Sequence, residues 1–448
     1  MKSKLSIISL LLLFVCSADM RAEVLTLDSC LERAKQHNCT IQSAKLDVAV
    51  SQEVKKQVLW KYFPLVSING FGYGSIKPLI NIDVVSMAGG DTGDLLKGLF
   101  DMLAEVSGKE YSSEINWLRW GASAQAQLIQ PIYWGGQIVN GNKLAKLGID
   151  ASKLKAEVSE RDVLQEVTEH YWLVSGLLYK RATVEKAIAL IDSIDNVAQV
   201  AFNHGLVTKN DILQVQLKRN EIESKRLQLE NGIQLASRML CHLVNIEYTP
   251  DLELERLADN DAIDVLVAVP ESFNIDNRPE TKLLELQVKY EKMMRKMSLG
   301  EALPHFFLGL QGGYSNFFEK NNFNGLAFAS LTIPLTQWGE TSHKLKQHDI
   351  RIRQAEMQRD DLQGKLRLQN EQVYDQLTES VKLLEQHRAA KELAEDNYNL
   401  ALMNYKAGIS TMTDLLQAEA LLLQAENNYT DANITFLTAQ RKFNDFNN

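Results

Sequence analysis

The sequence predicts a mainly α-helical protein with a smaller membrane β-barrel portion that several copies share. Three observations predict it: an internal two-fold repeat, helical periodicity that runs for dozens of residues without a stop, and two pairs of short alternating strands with tryptophan at their ends. The repeat is clearest where two good helices are interrupted by glycine. NYKAGISTMTDLLQ (404–417) and FNHGLVTKNDILQ (202–214) share glycine, acid and Leu-Gln at one offset, so that 203 residues separate both Gly205 from Gly408 and Asp211 from Asp414. Such self-similarity governs how the rest of the chain is read.

Composition sets the class. The 448 residues include only 8 prolines and no Gly/Ser-rich or Pro-rich linker, which argues against a string of separate domains. Mean hydropathy is −0.20, and beyond the N-terminus no run of about 18 apolar residues occurs, so no helical membrane span is expected. A barrel stays open, because alternating strands scarcely raise hydropathy. Residues 1–22 carry Lys2 and Lys4, an apolar run from Leu5 to Val15 and then small residues, and read as a signal peptide cut after Ala22 or Ala18. Bulky Phe14 and Val15 precede Cys16 where a lipoprotein signal needs a small residue, so this cysteine is read as lost with the signal. Removing residues 1–22 leaves a net charge of −11, a poor match to nucleic acid. Cys30, Cys39 and Cys241 are odd in number and scattered, so neither a disulfide framework nor a metal cluster follows, and no cofactor is expected.

The first repeat is placed at 23–245. It opens with a helix from Leu27 to Tyr62, with Asp28 as N-cap, followed by strands at about 64–74 and 118–133 and a long helical hairpin whose tip is 205–208. A long loop, Ser75 to Asn116, joins the two strands and contains a short amphipathic helix from Asp94 to Val106. The equatorial segment 246–277 loses helical periodicity, and its DVLVAVP reads as a short strand. The second repeat, 278–448, restarts with proline in first-turn position at Arg278-Pro279-Glu280, then gives strands at about 305–315 and 323–335 and a second hairpin with its tip at 408–411.

In the strand 118–133, Trp120, Ala122, Ala124, Ala126 and Leu128 alternate with Gly121, Ser123, Gln125 and Gln127. One apolar and one small-polar face suit lipid outside and water inside. Trp60, Trp117, Trp120, Trp134 and Trp338 lie at or just beyond strand ends, with Phe317 and Phe318 nearby, as membrane-interface aromatics do. Four strands cannot close a barrel, and open edges are not tolerated in lipid, so oligomerisation is implied. Three copies would supply twelve strands, but the pattern does not choose three over two or four.

Gly136 to Gly205 and Gly339 to Gly408 each cover 69 residues, or roughly 100 Å as straight helix. At the tips, Gly205 and Gly408 allow a left-handed turn between helices. Thr208 and Thr411 then stand where they can cap the outgoing helices, and Asp211 and Asp414 stand where they complement the helix dipoles.

These pieces together resemble the TolC-like outer-membrane efflux protein family. The resemblance is carried by LTLDSCLERAKQHN (Leu25–Asn38), NRPETKLLELQ (Asn277–Gln287), the strand beginnings FPLVSINGFGYG and LPHFFLGLQGGYS, and both tip turns, in order over nearly the whole mature chain. It implies a homotrimer in outer-membrane lipid with a twelve-stranded barrel, a periplasmic helical tunnel, and a tip that docks on a periplasmic adaptor served by an inner-membrane transporter of the RND or ABC class. It implies no bond chemistry. By the same resemblance Asp414 and Asp211 form a charged ring at the channel constriction, and Tyr405 helps hold the entrance closed. Gly205, Leu206, Val207 and Thr208, with Gly408, Ile409, Ser410 and Thr411, form the tip turns and adaptor contact. The chain departs from the family pattern in NCTI at Asn38–Ile41, where proline is common after the asparagine, and at Ser410 and Gln417, where some members carry arginine and a second aspartate. A latch built on that arginine cannot form here.

Other residues are read as structural. Met293, Met294 and Met297 are at helical packing distance, His343 and His348 are badly spaced for one-face ligation, and no phosphate loop or nucleophilic triad is present. Two functions from different classes remain: an outer-membrane exit duct, or an exported soluble coiled-coil scaffold or periplasmic adaptor. Equal helix lengths in both halves and tryptophan at the strand ends favour the duct.

Overall fold

The computed structural model describes residues 24–109, 114–117, 120–250, 252–255, 275–316 and 321–447. Residues 1–22, read as a signal peptide, and DVLVAVP, Phe317 and Phe318 lie outside the described residues.

Helix α1 (Leu27–His37) begins one residue after Thr26, which caps it in place of Asp28. The Thr26 hydroxyl accepts from Ser29 N–H at 3.2 Å and the Ser29 hydroxyl accepts from Thr26 N–H at 3.1 Å, which satisfies two otherwise orphaned donors. Asp28 sits in the first turn instead. The helix expected to run to Tyr62 breaks at Asn38, whose backbone is extended. Its side chain makes the break without proline: Nδ2 donates to the Leu243 carbonyl at 2.8 Å and Oδ1 accepts from Thr40 N–H at 2.9 Å. Helix α2 (Cys39–Leu59) follows, and a 3₁₀ turn at Trp60–Tyr62 ends it before Pro64.

The chain divides into two compact units. One comprises Ser51–Ile149 and Gln287–Ala355. Its main sheet contains β1 (Leu65–Gly74), β4 (Trp120–Trp134), β5 (His305–Asn316) and β6 (Asn322–Thr332), all antiparallel in the order β1-β4-β5-β6. Strands β1 and β6 are therefore its two free edges. Strand β6 stops at Thr332, short of 335, because Pro334 has no N–H for the ladder and residues 333–337 fold into a turn. The long loop holds more order than its sequence suggests. Strands β2 (Ile80–Asp83) and β3 (Glu114–Trp117) pair in a separate two-stranded sheet, and between them lie α3 (Val84–Ala88) and α4 (Gly90–Ser107). Helix α5 (Gln137–Asn203) is reached through Gly135 and Gly136, both at positive φ. A Cβ on Gly135 would overlap the Gly300 carbonyl, so this turn needs glycine twice over. Gly339, the repeat partner of Gly136, plays no such role: it lies inside α8 (Gln337–Lys406).

The other unit comprises Met1–Val50, Asp150–Leu286 and Glu356–Asn448. It is built from α1 and parts of α5 and α8, with α6 (Lys209–Leu243), α9 (Met412–Asn447) and the start of α7 (Pro279–Glu301). Tyr171, Val167 and Val174 of α5 pack with Leu31 and Ala34 of α1 and Leu240 of α6. Here the Tyr171 hydroxyl donates to the Leu25 carbonyl at 3.2 Å, and Leu25 forms a parallel bridge with Leu254. A second core holds the two hairpins together beside their tips through Ile191, Ile194, Ile222, Tyr398, Met412 and Leu415. No helix among the described residues is long and apolar enough to cross a membrane.

Candidate functional site

Each tip is built by the same local chemistry. Gly205 and Gly408 both have φ +73°. At the first, Leu206 N–H donates to the Ala201 carbonyl and Gly205 N–H to Phe202; at the second, Ile409 N–H donates to Asn404 and Gly408 N–H to Tyr405, at 2.8 to 3.0 Å. This pattern ties off the last carbonyls of a helix. Leu206 and Ile409 are left exposed at the turns, whereas Val207 and Ser410 are half-buried.

The acids are engaged within the turns. One oxygen of the Asp211 carboxylate accepts from both the backbone N–H and the hydroxyl of Thr208 at 2.8 Å. Asp414 accepts likewise from Thr411 N–H at 2.9 Å and Oγ1 at 2.7 Å, and its own N–H donates to Thr411 Oγ1 at 3.2 Å. The Thr411 hydroxyl and then its N–H hold the Asp414 carboxyl below the usual carboxylate range. Each acid has a second carboxylate oxygen that makes no such bond.

Tyr405 of α8 lies on the core shared by the two hairpins. Its hydroxyl is enclosed with no hydrogen-bond partner, and burial followed by the negative charge of Asp211 pushes its pKa up. Sequence reasoning did not find a link between the hairpins near the tips, in which Thr413 Oγ1 donates to Gln214 Oε1 at 3.2 Å. The Ser410 hydroxyl donates to the Ala401 carbonyl at 3.5 Å, and Gln417 is exposed.

The four-stranded sheet is two-faced. Register places Val66, Leu128, Leu310 and Ala327 in one row, then Ile68, Ala126, Gly312 and Gly325, on an outward apolar face. The opposite face carries Ser67, Gln127, Gln311 and Leu326 in one row and Asn69, Gln125, Gly313 and Asn324 in another, so it is mostly polar with a leucine on the edge strand β6. Gln311 donates to Gln125 Oε1 at 2.7 Å across it. Alternation in β4 alone marked this pattern; the matching rows in the other strands emerge only from register.

The tryptophans divide. Trp60 precedes β1, and Trp134 ends β4 stacked on His305 with ring centroids 4.6 Å apart. The Trp338 indole donates to the Ala302 carbonyl at 3.0 Å, at the end of α7. Trp120 stands at the opposite end of the sheet. Trp117 belongs to β3 and pairs through its backbone with Ile80, so it lies outside the four-stranded sheet whose second strand was expected to begin at 118. No group of three or more metal-binding side chains occurs among the described residues.

Comparison with known proteins places this architecture. Residues 302–443 match the family model for outer membrane efflux proteins. The chain is 24% identical over 294 residues to the alkaline protease secretion protein AprF of Pseudomonas aeruginosa, a match covering 62% of this chain and 60% of that protein's length. The fold is similar to the CmeC outer membrane channel of Campylobacter jejuni, with TM-score 0.76 and 12% identity over 94% of this chain and 85% of that one. It is also similar to the outer membrane protein VceC of Vibrio cholerae, with TM-score 0.71 and 14% identity over 94% and 96%.

Proposed function

We propose that this chain, which has the TolC-like channel fold and whose residues 302–443 match the family model for outer membrane efflux proteins, is the outer-membrane exit duct of an efflux or type I secretion system. The observation that carries this reading is the two-faced sheet with two free edges. Its apolar rows suit lipid, its Gln, Asn and Ser rows suit a water-filled lumen, and β1 and β6 need strands from neighbouring copies, since unpaired edges are not tolerated in lipid. A homotrimer supplies twelve strands. Substrates pass through passively, without bond chemistry, and the long helices project into the periplasm toward an adaptor and an inner-membrane transporter.

At the entrance, Asp211 and Asp414 place carboxylates at two tips of every copy. Symmetry multiplies them into an acidic ring that favours cations. With Ser410 and Gln417 unable to supply a charged latch, Tyr405 and the Thr413–Gln214 bond are the contacts that hold the hairpins closed.

Two measurements test these claims. Membrane fractionation should recover the protein as a heat-labile trimer that needs detergent, and recovery as a soluble periplasmic protein would overturn the duct in favour of a scaffold. In planar bilayers, Asp211→Ala or Asp414→Ala should raise conductance or lose cation preference; unchanged behaviour in both removes the ring and leaves these acids as caps.

A further inference from the structure

Helix α4, in the loop between the first two strands of the main sheet, has an apolar surface left exposed among the described residues. Its inner side is accounted for. Gly93 is buried and lies so close to α3 that a Cβ there would stand 2.8 Å from the Val85 carbonyl, and Leu96, Phe100 and Ala104 on the same side are half-buried.

The outer side carries Leu95, Leu99, Met102, Leu103 and Val106, which are 41% to 83% exposed. At about 100° per residue these five fall within one sector of the helix roughly 100° wide, the width of a core-facing stripe. The polar flank is acidic, with Asp91, Asp94, Asp101 and Glu105 against Lys97 alone.

That charge decides between occupants. A helix that lies on a membrane carries lysine and arginine toward anionic headgroups, and four acids with one lysine would be repelled. The loop is instead continuous with β1, a strand whose free edge must pair with another copy if the sheet is to close.

Resting on the trimeric duct proposed above, we infer that the outer stripe of α4 packs on a neighbouring copy of this same chain, at the mouth of the barrel and beside the seam formed by β1. The loop then makes a second contact between copies, in addition to strand pairing, and narrows the exit with a rim of acidic residues.

Photocrosslinking in intact outer membranes tests this. Benzoylphenylalanine at Met102, in a full-length chain co-expressed with a differently tagged copy, should give on irradiation an adduct carrying both tags. The same group at Lys97, which is turned away from the stripe, should not. If the Met102 variant fails to assemble, Leu95 takes its place with the same expectation. An adduct to lipid or to a different protein overturns the inference, as does the absence of any adduct from a protein that still runs as a heat-labile trimer. Absence of that trimer before irradiation overturns the assembly reading, and this inference with it.

Discussion

Glu419 carries a carboxylate into the core that holds the two hairpins together, with its side chain 1% exposed and neither oxygen hydrogen-bonded. Burial pushes its pKa up to about 7; the Lys218 ammonium 3.8 Å away offsets this only in part, and Glu221 and Glu426 add to it. Lys225 acts in the same direction as Lys218. The sign follows directly. The folded state favours the neutral acid, whereas the unfolded chain ionises near 4.5, so stability is greatest below that value, falls as pH rises to about 7, and is flat beyond. Glu419→Gln should abolish this slope in the thermal midpoint between pH 5 and 7; an identical slope in the variant would exclude Glu419 as its source. Asp414 behaves oppositely. Its depressed pKa makes its capping contribution present at neutral pH and lost only in acid, so its carboxyl should titrate below 3.8 by NMR. The threonine caps and the place of both tip acids in the first helical turn were legible in the sequence, whereas the direct Thr–Asp bonds came from the structure. Glu419 was not legible, since an isolated glutamate on a long amphipathic helix looks the same buried or exposed until its neighbours are known.

At the scale of the helices, some glycines are needed for the turn they make or the neighbour they admit, and others are dispensable. Gly408 has φ +73° and ends α8, so Gly408→Ala should destabilise by about 1 kcal/mol, the usual penalty for a Cβ in the left-handed region. Gly364, inside the same helix and facing open space, should respond in the other direction, with Gly364→Ala stabilising by about 0.5 to 1 kcal/mol through helix propensity. Opposite shifts of the unfolding midpoint in the two variants check the pair; shifts of the same sign would refute it. Gly176 in α5 is a third case. A Cβ there overlaps the tip of Ile434 of α9, so Gly176→Leu should cost about 1 to 3 kcal/mol by overpacking. The sequence marked Gly205 and Gly408 because they interrupt apolar periodicity and recur at one spacing. It could not mark Gly176, whose reason is a side chain 258 residues away in the chain, nor tell that Gly136 bends the backbone while Gly339 is ordinary helix.

For the whole molecule, neighbouring residues of β5 give the sharpest contrast. Leu310 lies on the apolar face and Gln311 on the polar one. In a barrel of three copies, Leu310→Arg should block outer-membrane assembly, because a lipid-facing arginine costs about 2 to 4 kcal/mol at the midplane in each copy. Gln311→Arg should assemble and shift ion selectivity toward anions. Equal assembly of the two variants, scored by the heat-labile trimer, would mean the sheet does not face lipid. The sequence by itself determined the mostly helical class and the alternating faces of β4, because periodicities of 3.6 and 2 and the loss of periodicity at glycine are local properties of the chain. Only the tertiary structure decided the strand order with its two free edges, the ordered loop with its uncovered helix, the packing of Tyr405 on the shared core and the burial of Glu419. Each of these depends on which distant segments meet, and that is set by packing and register, which no local pattern encodes.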